Sequence, residues 1–163
     1  MKNILSIKMF CVLLLPLTLS AANVYWQQDG SGNWNGDWSE RAHWSTGEVP
    51  TSTDKVFFPS VDGDVTISVN ATYEVGSLEM VSMTGPAGRR YDFKLTGSGR
   101  ITLAGSDGKG YSSWVKERRS LTLDGVSMVD TGYQDLMVRG RIIVKTGALL
   151  KNTRIAKFMY KDA

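Results

Sequence analysis

Tryptophan side chains are concentrated in one short stretch near the start of the chain. Between Gly30 and Pro50 the sequence reads GSGNWNGDWSERAHWSTGEVP, which places Trp34, Trp38 and Trp44 among glycines and small polar residues. Ligand pockets commonly combine aromatic walls with a few polar groups, and an indole ring can stack on the apolar face of a sugar. The three side chains are therefore a candidate carbohydrate-binding platform.

A second candidate site pairs an aromatic ring with cations. Trp114 lies in the segment GSDGKGYSSWVKERRS, residues 105–120, which is rich in glycine and charge and is predicted to be a projecting loop. Arg118 and Arg119 follow on the same segment. Because guanidinium groups bind carboxylates and other oxyanions through paired hydrogen bonds, this group is a candidate site for an acidic cell-surface or extracellular polysaccharide.

Metal binding and catalysis have weaker support. The stretch from Asp29 to Glu40 matches several ligand positions of a calcium-binding loop, but Trp34 stands at the sixth position, where the sharp turn needs glycine. His43 is the only histidine of the chain, and no G-x-S-x-G or phosphate-binding loop is present. We therefore expect no metal site, no cofactor and no catalytic residue, and a polysaccharide lyase is the remote enzymatic alternative.

The segments that must position these residues have the pattern of β-strands. VTISV alternates strictly, and RITLAG, SLTLDG, DLMVRG and RIIVKTG are short β-rich runs closed by glycine. No window beyond the first 22 residues carries the apolar stripe of an amphipathic helix. Second strands fit at VSMV from Val126 and at ALLKN from Ala148.

The strands recur with a regular period. Apolar pairs with one residue between them follow each other at steps of 22, 23, 20 and 21 residues: Val56/Phe58, Leu78/Met80, Ile101/Leu103, Leu121/Leu123 and Ile142/Val144. Such a period is typical of a solenoid, in which each coil buries its apolar face against the next. We predict an all-β fold, a right-handed parallel β-helix (β-solenoid) of about five short coils, with a β-sandwich as the alternative.

The repeat offers a second role for the tryptophans. The first coil of a solenoid has an apolar end that must be covered, and one buried tryptophan removes about 200 Å² from water. Trp34, Trp38 and Trp44 precede the first repeat, so we favour an N-terminal cap over the first coil and keep the binding platform as the alternative.

The first 22 residues have the anatomy of a secretory signal peptide. A short basic start precedes an apolar run too short to span a bilayer, and Ser20 and Ala22 occupy the −3 and −1 positions of a cleavage after Ala22. Cys11, the only cysteine, lies inside this run, so the mature chain has no thiol for a disulfide or a thiolate metal site. The predicted divisions are a signal peptide, a Trp/Gly-rich cap and the coils, at residues 1–22, 23–55 and 56–163.

Charge is distributed unevenly along the mature chain. Residues 23–88 carry two basic and nine acidic side chains, whereas residues 89–163 carry 15 basic and seven acidic ones. Such asymmetry can mark a polyanion-binding face, but the basic residues are scattered. A solvated surface, or complementarity between the two halves, is therefore the favoured interpretation.

One group of exported proteins shares the pattern at the start of the mature chain. The shared positions are Trp26, Gly32, Asn33, Trp34, Trp44, Gly47, Pro50, Asp54, Phe57 and Phe58. With the downstream unit LTGSGRITLAG, they resemble bacterial secreted passenger-type β-helix proteins, such as the autotransporter-associated β-strand repeat proteins. His43 stands where the family has asparagine, and we expect the chain to be a fragment of a longer protein, a truncated gene product or a compact relative.

The resemblance implies a functional class. We expect a secreted or cell-surface, non-enzymatic β-solenoid module with a structural or adhesin-like role, and a carbohydrate-binding module for an acidic polysaccharide is the alternative. A nucleic-acid partner is not expected for an exported protein, and no membrane span is expected after signal cleavage.

Overall fold

The described part of the chain is built from strands. The computed structural model describes residues 21–61, 63–80, 91–105, 112–116, 119–131 and 135–151. These residues form parallel sheets and one short 3-10 helix, η1 (Arg41–His43), and none of them lies in an α-helix. No helix in the described ranges has the length and apolar character needed to cross a membrane. The prediction of an all-β fold is confirmed, and the signal-peptide prediction, apart from Ala21 and Ala22, lies outside the described residues.

Three sheets contain all the named strands, and every strand pairs in parallel with its neighbours. Sheet I contains, in spatial order, β1 (Asn23–Tyr25), β3 (Lys55–Phe58), β6 (Ser77–Met80), β9 (Ser112–Val115) and β12 (Asp135–Val138). Sheet II contains β2 (Gly36–Asp37), β4 (Val65–Ser68), β7 (Tyr91–Thr96), β10 (Arg119–Asp124) and β13 (Arg141–Val144). Sheet III contains β5 (Thr72–Val75), β8 (Arg100–Leu103), β11 (Ser127–Asp130) and β14 (Leu149–Lys151).

The chain visits the sheets in a fixed order. From β3 onward, successive strands lie in sheets I, II and III and then return to sheet I. Each strand therefore pairs with the strand one circuit earlier and the strand one circuit later, an arrangement compatible with a β-solenoid. One edge of the three sheets is formed by β1, β2 and β5, which we call the N-terminal edge. The other is formed by β12, β13 and β14, which we call the C-terminal edge.

Two steps of the predicted repeat are confirmed by residue pairing. Val56 lies beside Leu78 in sheet I, a step of 22 residues. Leu121 lies beside Ile142 in sheet II, a step of 21 residues. These pairs are true neighbours because each belongs to consecutive strands of one sheet.

The middle of the predicted repeat is wrong. Ile101 and Leu103 lie in sheet III, where Ile101 pairs with Tyr73 and Met128 rather than with residues of sheets I or II. All three sheets share the same two-residue alternation, so apolar spacing alone does not assign a strand to its sheet. The true partner of Leu103 in the preceding circuit is Val75, 28 residues earlier.

Alternate residues of each strand point into one continuous apolar core. In sheet II, for example, Val65, Phe93 and Leu121 are aligned by register and buried. The Phe93 ring stacks on Phe58 of sheet I, with centroids 4.7 Å apart and planes 4° from parallel. Burying one such side chain contributes about 1.5–3 kcal/mol, so stability is spread over many equivalent layers.

Glycine is required at the corner that joins sheets II and III. Gly125 has φ +80° and Gly97 has φ +123°, conformations that L side chains rarely adopt. A Cβ on Gly125 would lie 2.5 Å from the Gly97 carbonyl oxygen, and one on Gly97 would lie 2.5 Å from the carbonyl oxygen of Val69. Successive circuits therefore stack through bare backbone at this corner.

The loop predicted for residues 105–120 is wrong in two places. Ser112–Val115 form β9 in the interior of sheet I, and Arg119 begins β10 in sheet II. The segment therefore supplies two strands to the sheets. Residues 106–111 and 117–118 lie outside the described residues.

Candidate functional site

The tryptophan-rich stretch forms a buried aromatic cluster under the N-terminal edge. Trp26, Trp38 and Trp44 each have 0% relative exposure. Trp44 meets both neighbours edge to face, with centroid distances of 4.9 Å to Trp26 and 4.9 Å to Trp38. Trp38 also contacts Phe58 and Tyr73, which joins the cluster to sheets I and III. Edge-to-face packing of this kind is favourable beyond the area that it buries.

Two carboxylates shape the loops that carry these rings. Asp29 Oδ1 accepts hydrogen bonds from the Ser31 backbone (2.8 Å), the Ser31 hydroxyl (2.7 Å) and the Asn33 backbone (2.9 Å). The Ser31 hydroxyl bond and the backbone bonds lower the pKa of Asp29 below its ordinary value. Asp37 makes the equivalent contacts with Ser39. The acidic residues of the calcium-loop match therefore serve as turn-forming acceptors.

A short antiparallel bridge closes the outer side of β1. The Gln27 N–H donates to the His43 carbonyl (2.8 Å), and the Ser45 N–H donates to the Tyr25 carbonyl (2.9 Å). The segment around Trp44 therefore occupies the position where a further parallel strand of sheet I would lie. The Tyr25 N–H also donates to the Ser45 hydroxyl, so both outward backbone groups of Tyr25 are satisfied within the chain.

His43 is a packing residue of this cluster. Its ring is 2% exposed and stacks on Trp26, with centroids 4.5 Å apart and planes 6° from parallel. Its Nδ1 contacts the Gln27 carbonyl at 2.9 Å, and its Nε2 lies 3.3 Å from Glu40 Oε2. A Cβ on Gly36 would overlap the ring, so glycine is needed at that position. Both ring nitrogens thus face groups that hold the fold.

The predicted three-tryptophan platform is not assembled on the surface. Trp38 and Trp44 have no accessible face, and a ring without accessible surface cannot stack on a sugar. Trp34 is half-buried against the cluster, and its carbonyl accepts a hydrogen bond from Trp26 Nε1 at 2.7 Å. The physical reason is the closure of the N-terminal edge, which turns these rings toward the core.

The residues of the second predicted site are separated by the fold. Trp114 is half-buried on the outer face of sheet I. Arg119 is 2% exposed at an inward position of β10, with its guanidinium 5.4 Å from the Tyr91 ring centroid. Burial lowers the pKa of Arg119, and the charge interaction with Tyr91 opposes that shift. Arg118 lies outside the described residues, so Arg119 is corrected from a loop residue to an interior one.

Sheet I carries an outward aromatic row that the sequence reasoning missed. Tyr25, Phe57, Glu79, Trp114 and Met137 are aligned by register on its outer face, and we call them the outer row of sheet I. The signal was present in KVFF, because strand alternation puts Phe57 on the outer face when its neighbours Val56 and Phe58 face the core.

Geometry limits how the outer row can meet a ligand. The rings of Tyr25 and Phe57 stack on each other, with centroids 4.9 Å apart and planes 20° from parallel. The Arg139 guanidinium lies 5.8 Å from the Trp114 centroid, and Lys116 makes an ion pair with Glu79. The two stacked rings therefore face each other along the row and turn their edges outward. A polymer lying across the strands would meet the ring edges of Tyr25 and Phe57 and the cations near Trp114.

No metal site is formed by the described residues. No cluster of three or more His, Asp or Glu side chains in these ranges is arranged to hold an ion. Asp124, on the outer face of sheet II, instead contacts Lys94 at 2.8 Å and Lys145 at 3.2 Å. Hydrogen bonds from Lys94 and Lys145 lower the pKa of Asp124 below its ordinary value.

Comparisons with family models, curated proteins and solved structures find no match for this chain. The resemblance to passenger-type β-helix proteins therefore stays a prediction.

Proposed function

We propose that the chain is an exported, non-enzymatic module that folds as a right-handed parallel β-helix of about five coils, with residues 23–55 as its N-terminal cap. The observation that carries the proposal is the fixed visiting order of sheets I, II and III around a continuous core. Such a stack is quasi-one-dimensional, and its stiffness suits a structural or adhesin-like role at a cell surface or in an extracellular matrix.

Export is tested by expressing the chain with residues 1–22 in a bacterial host and measuring the mass of the product outside the cytoplasm. The expected product begins at Asn23. Cleavage after Ala22 removes the 2.8 Å hydrogen bond that the Ala22 carbonyl accepts from the Lys55 N–H, whereas a product beginning at Ala21 would keep it. A charged substitution in the apolar run, Leu14→Asp, is the matched control and should block processing. An uncleaved wild-type chain in the cytoplasm would overturn the proposal.

The structural role is tested by deletion and by an activity assay. Loss of the chain should weaken cell–cell or cell–surface cohesion, and adding back the purified chain should restore it. The purified chain should release no reducing ends or unsaturated products from acidic polysaccharides. Steady release of either product would contradict the non-enzymatic assignment.

A second candidate function is polysaccharide binding at the outer row of sheet I. It is favoured by the alignment of Tyr25, Phe57 and Trp114 on one outer face, with Lys116 and Arg139 close to Trp114. Glycan-array binding by the full chain should then be lost in Trp114→Ala and retained in Thr66→Ala, which alters the outer face of sheet II. Equal binding by both variants would exclude the row as the site.

A further inference from the structure

Among the described residues, the C-terminal edge is the uncovered end of the apolar core. β12, β13 and β14 each pair with a strand on one side only within the described residues. Val144 points toward the core in register with Leu123 and is 45% exposed. Leu149, in register with Ser127 on the outer face of sheet III, is 48% exposed. An unpaired strand edge beside exposed apolar side chains is a template for an added strand.

The charge of this edge distinguishes the possible occupants. Residues 135–151 contain four basic side chains and one acidic one, a net charge of +3. Arg141 begins β13 and Lys145 directly follows it, both exposed on the outer face of sheet II, and Lys145 also contacts Asp124 at 3.2 Å. Two copies joined at this edge would bring like charges together, which is destabilising for strands placed side by side.

The opposite edge offers β13 no strand of matching length for a head-to-tail stack. In sheet I the outward N–H and carbonyl of Tyr25 in β1 are both bonded to Ser45. In sheet II, β2 is only two residues long, and the Asp37 N–H donates to Glu40 Oε2 at 3.0 Å. Among the N-terminal edge strands only β5 of sheet III presents four residues with no outer neighbour among the described residues, so a second copy is disfavoured at β13 in both orientations.

We propose that β13 accepts an extended acidic segment of a partner protein as an additional strand of sheet II. Register defines the pattern of that segment. Acidic residues would lie beside Arg141 and Lys145, apolar residues beside Ile142 and Val144, and a β-branched residue beside Ile143. Strand order and charge alone support this strand addition, which does not depend on export or on polysaccharide binding.

The test uses the full chain and two fluorescent blocked peptides, EVTVE and the charge-reversed KVTVK, with binding measured by fluorescence anisotropy at low salt. EVTVE should bind about tenfold more tightly than KVTVK, because two cross-strand attractions replace two repulsions. Arg141→Glu should remove most of this preference. Arg100→Glu, which changes an exposed arginine of the interior strand β8, is the matched control and should leave the preference unchanged.

Hydrogen exchange separates strand addition from loose charge attraction. Bound EVTVE should slow amide exchange within residues 141–145, and Val144→Lys should abolish that protection while the far-UV circular dichroism stays the same. Equal affinity for the two peptides, or binding without protection of β13, would overturn the proposal.

Two further results would assign the edge to another occupant. Binding of EVTVE only after removal of residues 152–163 would mean that the chain covers its own edge. Concentration-dependent dimerisation lost in Val144→Lys would mean that a second copy covers it. Absence of binding in the full and the shortened chain would reject the partner segment.

Discussion

The apolar core ends at both edges of the three sheets, and the two edges differ in how the core is covered. At the N-terminal edge, three tryptophans cover the core and an antiparallel bridge occupies the outward side of β1. At the C-terminal edge, the inward-facing Val144 is 45% exposed, and the described strands have no outer neighbour. Charge differs as well, since residues 29–48 carry four acidic side chains and one basic, whereas residues 135–151 carry four basic and one acidic.

The difference shows where the fold depends on particular residues. Closing an edge needs loops with fixed geometry, which here come from Asp29, Asp37 and Gly36. The open edge needs only exposed cations, which oppose pairing with another copy of itself. The closed edge should therefore be sensitive to single substitutions and the open edge tolerant of them.

The largest contrast is expected from truncating one apolar side chain at each edge. Trp44→Ala should lower the free energy of unfolding by about 3–5 kcal/mol, because a cavity forms in the aromatic cluster. Val144→Ala should cost less than about 1 kcal/mol, because nearly half of that side chain is already in water. Urea unfolding of both variants measures the difference, and equal losses would contradict a closed and an open edge.

Two glycines with nearly the same backbone conformation give the next contrast. Gly125 has φ +80° inside the stack, whereas Gly147 has φ +82° close to the C-terminal edge, and a Cβ added there would meet no other described atom within 4 Å. Gly147→Ala should cost about 1 kcal/mol from backbone strain alone. Gly125→Ala should cost about 3 kcal/mol, because its Cβ also meets the Gly97 carbonyl. Thermal unfolding would show the ranking, and a reversed order would mean that the corner can relax.

A smaller effect distinguishes two tryptophans of the same cluster. Trp44 Nε1 donates to the Trp38 carbonyl at 2.8 Å, whereas Trp38 Nε1 is buried and has no hydrogen-bond partner among the described residues. Trp44→Phe should therefore be about 1 kcal/mol more destabilising than Trp38→Phe. Chemical denaturation of the pair tests this, and a larger loss in Trp38→Phe would mean that shape outweighs hydrogen bonding at these sites.

The smallest contrast concerns acid and salt. Asp29 and Asp124 both have pKa values lowered by folding, so each contributes stability above the unfolded pKa of about 3.9, and that stability is lost as pH falls through the folded pKa. The Asp29 contribution comes from Ser31 and backbone hydrogen bonds, whereas that of Asp124 comes from two lysines.

The two carboxylates should therefore respond differently to ionic strength. Asp124→Asn should flatten the loss of stability below about pH 4 at low salt, and the effect should shrink in concentrated sodium chloride because salt screens exposed charges. Asp29→Asn should show little salt dependence. Unfolding curves across pH at two salt concentrations measure both, and identical salt responses would refute the distinction.

The sequence predicted the strand content and much of the repeat, and the reasons for its failures are physical. Val56 and Leu78 were matched correctly because no long insertion separates β3 from β6. Ile101 was misassigned because sheets I, II and III bury residues at the same two-residue spacing. Apolar alternation predicts a strand and its inward face. The sheet to which that strand belongs is decided by the positions of the corners between strands.

The candidate sites were harder to predict than the fold. Trp38 and Trp44 were correctly placed ahead of the first repeat, but a glycine-rich context does not reveal whether an indole faces water or core. The outer row was missed because its members are distant in the chain and are aligned only by strand register. Tyr25 and Trp114, for example, are 89 positions apart. Arg119 was placed in a loop because charged residues seldom occupy inward strand positions.

The spacing between paired strands also bears on how the molecule can change in length. In sheet I the steps between paired residues are 22 from Val56 to Leu78, 35 from Met80 to Val115 and 23 from Val115 to Val138. The pairing is parallel across all three steps, although one turn contains a dozen more residues than the others and its ladder has two paired residues instead of four. Circuit length is thus uncoupled from strand pairing, and a foreign peptide grafted between β6 and β7 should leave both strands paired in their sheets.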